Sequence, residues 1–172
     1  MGKPSIVVTE YDPAWPRLFE MLRGRLLDVL GELAVAVEHV GSTSVPGLAA
    51  KPVVDIDAVV SSAEYVSLAV ERLERAGYRH EGDLGISGRE AFEPPAGAPA
   101  HHLYVLPANS EELRRHLAFR DHLRAHPGAA IAYAALKRKA VRRFGGDRRA
   151  YTEAKEDFVE RLLAQHPDRG AS

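Results

Sequence analysis

Two aspartates, Asp55 and Asp57, stand two positions apart in an otherwise apolar run, Val53-Val54-Asp55-Ile56-Asp57-Ala58-Val59-Val60. Alternate residues of an extended chain leave the same face, so the two carboxylates project together. Like charges so placed repel, and a hard divalent cation, Mg²⁺ or Mn²⁺, would relieve them while also binding phosphate oxygens. Shortly before them an apolar run ends in Gly41-Ser42-Thr43-Ser44. Gly41 lets a ligand approach the backbone, and the hydroxyls and amides of Ser42, Thr43 and Ser44 suit phosphate. Lys51, whose position is set by Pro52, is within reach of a phosphate bound there. The competing reading makes one acid a surface charge and the other a turn cap. The spacing of the pair, and the turn ahead of it, favour the pocket.

Other residues are weighed against the same pocket. His101 and His102 are adjacent, so in a strand they point to opposite faces and at most one serves the site. His102 is the candidate to take a proton near neutral pH or help hold a metal, and His101 the candidate for a substrate or phosphate contact; otherwise both are ordinary strand polar groups. His39 precedes the glycine turn and reads as a structural hydrogen-bonding group that orients it. Arg89, in a turn-rich loop, is an anion clamp or a solvated charge. Lys137, Arg138, Lys139, Arg142, Arg143, Arg148 and Arg149 make a basic cluster that reads mainly as a solvated face.

These residues need elements to hold them. Ile6 to Thr9 reads as a short strand, and Asp12-Pro13 as the start of a helix whose apolar stripe is Trp15, Leu18, Phe19, Leu22, Leu26 and Leu30. Trp15 belongs to that stripe and is a packing residue. Strands are predicted at Val35 to Val40 and Val53 to Val60, the second so apolar that it is covered on both faces. Ser61 and Glu64 have capping-box spacing before a helix that ends at Gly77. Short strands at Tyr78 to Gly82 and Ala91 to Glu93 precede another at His101 to Leu106. From Ser110 onward the pattern is helical, broken at Pro127-Gly128 and at Gly145-Gly146, and ending near Gln165. The order predicts an α+β or mixed α/β domain, its sheet-containing core in residues 1–109, a helical C-terminal lobe in 110–166 and a short tail in 167–172.

Bulk composition narrows the function. A chain of 172 residues, 45% hydrophobic and 27% charged, is one domain with a continuous core. Its 23 basic and 24 acidic side chains nearly cancel, which disfavours bulk attraction to nucleic acid or anionic membrane. With no cysteine there is no disulfide, thiolate nucleophile or thiolate zinc site. The apolar run Ile6-Val7-Val8 is too short for a signal core or a membrane span, so the cytoplasm is the expected location.

Gly-Ser followed by Asp-Ile-Asp resembles the signature of the nucleotidyltransferase fold. The fuller stretch from Glu38 to Pro52, with Tyr11-Asp12-Pro13-Ala14-Trp15-Pro16, His101-His102-Leu103, Phe119-Arg120-Asp121, Tyr133-Ala134-Ala135-Leu136-Lys137 and Tyr151-Thr152-Glu153-Ala154-Lys155, resembles the GrpB (UPF0157) family over nearly the whole chain. The resemblance implies a nucleotidyltransferase-like mixed sheet flanked by helices. It implies phosphate binding by Gly41 and Ser42, metal binding by Asp55 and Asp57, and phosphate contacts from Lys137 and Lys155. A nucleotide or phosphorylated small molecule is the implied partner, and nucleotidyl transfer the implied reaction, with a non-catalytic ligand-binding or chaperone-like module as the alternative. The broader superfamily uses a third carboxylate on a later strand. The strand that should carry it, His101 to Leu106, has none; His102 is the candidate to take part of its role, and Glu93 a possible substitute.

Overall fold

The computed structural model describes residues 5–165; the expected tail, 167–172, lies outside them. The first helix, α1 (Trp15–Leu30), buries Trp15, Phe19, Leu22, Leu26 and Leu30, the predicted stripe apart from Leu18, which is half-buried against the core. Its start differs from expectation. Asp12 Oδ1 accepts from the Ala14 N–H at 2.8 Å, making a turn, and the proline in the first helical turn is Pro16. Ile6 to Thr9 forms no strand of its own, only a bridge between Thr9 and Ala50.

Five strands follow: β1 (Ala34–Val40), β2 (Val54–Val60), β3 (Arg79–Gly82), β4 (Glu90–Glu93) and β5 (His101–Pro107). They pair in the order β1-β2-β5-β4-β3, with β2 and β5 parallel and the other pairs antiparallel. This is the mixed sheet the sequence led one to expect. The central strand β2 separates two chemistries by its two-residue period. Val54, Ile56, Ala58 and Val60 join Leu103 and Val105 in the main core, beneath α1 and α2 (Val66–Arg75). A three-residue turn, Ala63–Tyr65, precedes α2, and Ser62 rather than Ser61 bonds Glu64. Asp55 and Asp57 leave the opposite face.

That face meets the helical lobe: α3 (Glu111–Ala125), α4 (Pro127–Phe144) and α5 (Arg148–Ala164). Ser110 caps α3 by accepting from the Leu113 N–H at 3.3 Å, and Pro127 opens α4. Leu113 packs on Val59 and Leu106 of the sheet. Val45, Leu48 and Ala49, which follow the hydroxyl turn, are buried against Leu123, Tyr133 and Leu162 of the lobe. Each such aliphatic side chain contributes about 1.5–3 kcal/mol. The turn is therefore clamped between sheet and lobe, which fixes its geometry without depending on a ligand.

Candidate active site

Gly41 follows β1 with φ +71°, a conformation that side-chain-bearing residues rarely adopt. A Cβ there would lie 2.2 Å from Asp55 Oδ2, so the glycine also makes room for the carboxylate. Gly41→Ala should therefore cost about 2–4 kcal/mol in urea denaturation, combining backbone strain with displacement of Asp55. Beyond Gly41 the chain makes a single 3₁₀ turn, Ser42–Ser44. Its three hydroxyls have different tasks. Ser44 Oγ donates to Gly41 O at 2.5 Å, and Thr43 Oγ1 lies 2.8 Å from His39 Nε2. His39 itself stacks on Phe19, and burial lowers its pKa to about 4, so it is a neutral structural group. Ser42 Oγ accepts from Lys137 Nζ at 2.8 Å.

Around Asp55 lies a cavity of about 310 Å³. Ser42 and Thr43 form one edge, Asp55, His102 and Tyr104 the sheet side, and Lys51, Lys137, Arg148 and Lys155 its basic wall, beside Tyr151 and Thr152. Four basic side chains around one carboxylate give the cavity a positively charged wall. Lys137 is only 2% exposed. Burial and neighbouring Lys155 lower its pKa to about 7. It donates to Ala49 O at 2.5 Å and lies 4.7 Å from the Tyr133 ring centroid. Burial also lowers Lys155 and Lys51. All three amines are held where an incoming anion would stabilise their charge.

The two acids each face an imidazole. Asp55 Oδ1 lies 2.7 Å from His102 Nδ1, its register partner on β5. A carboxylate only accepts, so Nδ1 carries a proton, and the neutral form of the ring has its lone pair on Nε2. Asp57, 0% exposed, has Oδ2 at 2.6 Å from His116 Nδ1 on α3. Glu112, one helical turn before, meets His116 Nε2 at 3.0 Å. Burial pushes His116 down, but its hydrogen bonds to Asp57 and Glu112 prevail and carry it to about 9. Burial in turn raises Asp57. Asp57 Oδ1 is buried with no hydrogen-bond partner. That orphaned oxygen, with Asp55 Oδ2 on the same face, offers hard-cation ligands. Among the described residues no cluster of three metal-ligating side chains forms, so water and ligand phosphate would complete the shell, as Mg²⁺ commonly requires.

The structure separates the remaining candidates. His101 faces α1, away from the acids: its Nε2 meets Tyr78 Oη at 2.8 Å and its Nδ1 donates to Pro99 O at 2.7 Å. His102 is the one of the pair on the site face. Arg89 does not line the cavity; its guanidinium stacks over Tyr104 at 4.5 Å. Glu93 bonds Arg79 on the edge strand rather than joining Asp57. In register with Asp57 stands Tyr104, so β5 brings no acid to the pair. Of the basic cluster, Lys137 and Arg148 reach the cavity, while Arg138 pairs with Glu10 and Arg149 with Glu153. His116 and Glu112 were not among the sequence candidates. Their four-residue spacing, which puts both on one helix face, was the available signal.

The profile described as GrpB protein matches residues 5–165. The chain is 34% identical over 158 residues to the UPF0157 protein YqkA of Bacillus subtilis, covering 92% of this chain and 46% of that one. It thus spans about half the length of that relative. The crystal structure of conserved protein GrpB from Enterococcus faecalis superposes with a TM-score of 0.74 at 35% identity, over 91% of this chain and 99% of that one. The Cid1 poly(U) polymerase with MgGTP bound matches 77% of this chain and 43% of its own at a TM-score of 0.53 and 14% identity, a likeness of fold alone. No helix among the described residues is long and apolar enough to cross a membrane. The architecture is a nucleotidyltransferase-like mixed sheet with flanking helices, and the chain belongs to the GrpB family.

Proposed function

We propose that this protein binds a nucleotide or another phosphorylated small molecule together with Mg²⁺ or Mn²⁺, and transfers a nucleotidyl group to an acceptor hydroxyl or phosphate. The observation that carries this reading is the convergence of Lys51, Lys137, Arg148 and Lys155 on the cavity that holds Asp55 and Ser42. Asp55 and Asp57 would hold the ion, which supplies charge neutralisation at the phosphates when bound. The four cations and the Ser42 hydroxyl hold the polyphosphate. With Asp55 fixing its tautomer, His102 Nε2 takes the acceptor's proton. The acceptor oxygen then bonds the α-phosphorus as the bond from that phosphorus to the bridging oxygen breaks. Pyrophosphate leaves with the bonding pair.

One observation favours a second reading, a ligand-binding module without turnover: Tyr104 occupies the β5 position beside Asp57 where a third acid would stand. Incubation with each nucleoside triphosphate, Mg²⁺ or Mn²⁺ and a panel of acceptors, followed by pyrophosphate release and thermal stability, separates the two. On the transfer reading Asp55→Asn should lower pyrophosphate release by about 10²–10⁴, since the ion loses a charged ligand and His102 the carboxylate that fixes its tautomer. Nucleotide-dependent stabilisation without release across the panel supports the binding module. No stabilisation by any nucleotide, with or without the ion, sinks both.

A further inference from the structure

A second cavity, of about 530 Å³, lies on the other face of the sheet from Asp55, between α1 and the loop that leads into β5. Its walls are apolar: Leu22, Leu26 and Val29 of α1 face Pro95, Ala96 and Ala98. At its polar end stand His101 and Tyr78, and Arg25. His101 is 2% exposed and its bonding fixes the direction of every hydrogen there. Pro99 O only accepts, so His101 Nδ1 donates to it and Nε2 accepts from the Tyr78 hydroxyl. The phenol oxygen keeps its lone pairs. Burial lowers the His101 pKa, so the ring carries no charge. Arg25 makes no hydrogen bond or ion pair with any described residue, yet its charge is felt by both Tyr78 and His101. The cavity is therefore an apolar trough whose lining carries one cation, the exposed Arg25 guanidinium without an ion pair among the described residues, and one carboxylate, Asp28.

We propose that this cavity is a second ligand site, for a small monocarboxylate with an apolar body. The guanidinium fork matches one carboxylate, and burial of the ligand's alkyl group against α1 supplies the rest of the affinity. A doubly charged phosphate monoester is a poorer fit. Only one cation is on offer, and the Asp28 carboxylate in the same lining repels a dianion about twice as strongly as a monocarboxylate. The volume lies within the range of small-molecule sites. The site shares no lining residue with the phosphate cavity, and the proposal does not rest on the proposed transfer activity.

The test is an amide-resonance NMR titration of the full chain with 4-methylpentanoate, and in parallel with its uncharged analogue 4-methylpentanamide. Saturable shifts are expected at Leu22, Leu26, Val29, Ala96 and Ala98. The amide, and the acid against Arg25→Met, should each bind at least about tenfold more weakly, the worth of one charged hydrogen-bonded contact. Arg25 is exposed on a helix surface, so the variant should keep the wild-type melting temperature and spectrum. The proposal is overturned if no saturable shift appears, or if the shifts centre on Ser42 and Lys137. It is equally overturned if acid and amide bind alike, or if Arg25→Met leaves the affinity for the acid unchanged.

Discussion

Replacing His116 with alanine should cost about 3–5 kcal/mol of folding stability, read from urea denaturation at pH 7. The reason is what the ring leaves behind. Asp57 is fully buried, one of its oxygens has no partner, and the other is bonded to His116. Truncating the ring strands a carboxylate in a site already hostile to its charge. A double-mutant cycle isolates this cause. Asp57→Asn beside His116→Ala removes the stranded charge, and the pair of changes should cost less than the sum of the two single changes by roughly 1–3 kcal/mol. If the double variant is as unstable as the two losses added together, His116 acts through packing and not through Asp57. Adding Mg²⁺ is informative too: if Asp57 is an ion ligand, the ion should recover more stability in His116→Ala than in wild type.

Why Asp57 has this partner could not be read from the order of residues alone. The aspartate spacing, the glycine turn and the apolar character of β2 are local, and local pattern placed the acids on one face of a central strand. The imidazole comes from position 116, a separation of 59 residues, on a helix whose register against the sheet is set by Leu113 packing on Val59 and Leu106. The same limit explains Arg89. Its loop has turn signals on every side, and only the tertiary fold stacks it on Tyr104 instead of in the cavity. Conversely, the histidine pair was decided by the simplest rule of all. Adjacent strand residues alternate, so once Asp55 faced the lobe, its register partner His102 faced it as well, and His101 had to turn toward α1. The absence of an acid from His101 to Leu106 was equally legible, because it is a statement about composition within one strand.

Lys137→Met should make the protein more stable and a poorer binder of polyanions, and the two effects have one origin. In the unfolded chain this amine has the ordinary pKa of 10.5; in the fold burial lowers it to about 7. The unfolded state therefore binds the proton more tightly, and folding is penalised while that proton must be given up or buried. The penalty is complete at and below pH 7, shrinks as pH rises, and is gone above 10.5. Methionine of similar length removes it but leaves Ala49 O without its donor, which returns part of the gain. The net change at pH 7 should be on the order of 1–2 kcal/mol, about 3–6 °C in Tm, narrowing toward pH 10. Binding moves the other way. Inorganic tripolyphosphate, titrated calorimetrically, should bind the variant about 10–100-fold more weakly, because a charged donor beside Ser42 is lost. A bound polyanion raises the amine's pKa, so in wild type binding takes up a proton above pH 7, and affinity should fall as pH rises from 7 to 9. Lys137→Met should flatten part of that slope, leaving the contributions of Lys51, Lys155 and the ligand's own ionisation. Equal slopes in the two proteins would mean that Lys137 is a buried structural amine, and that the anion is held by Lys51, Arg148 and Lys155 without it.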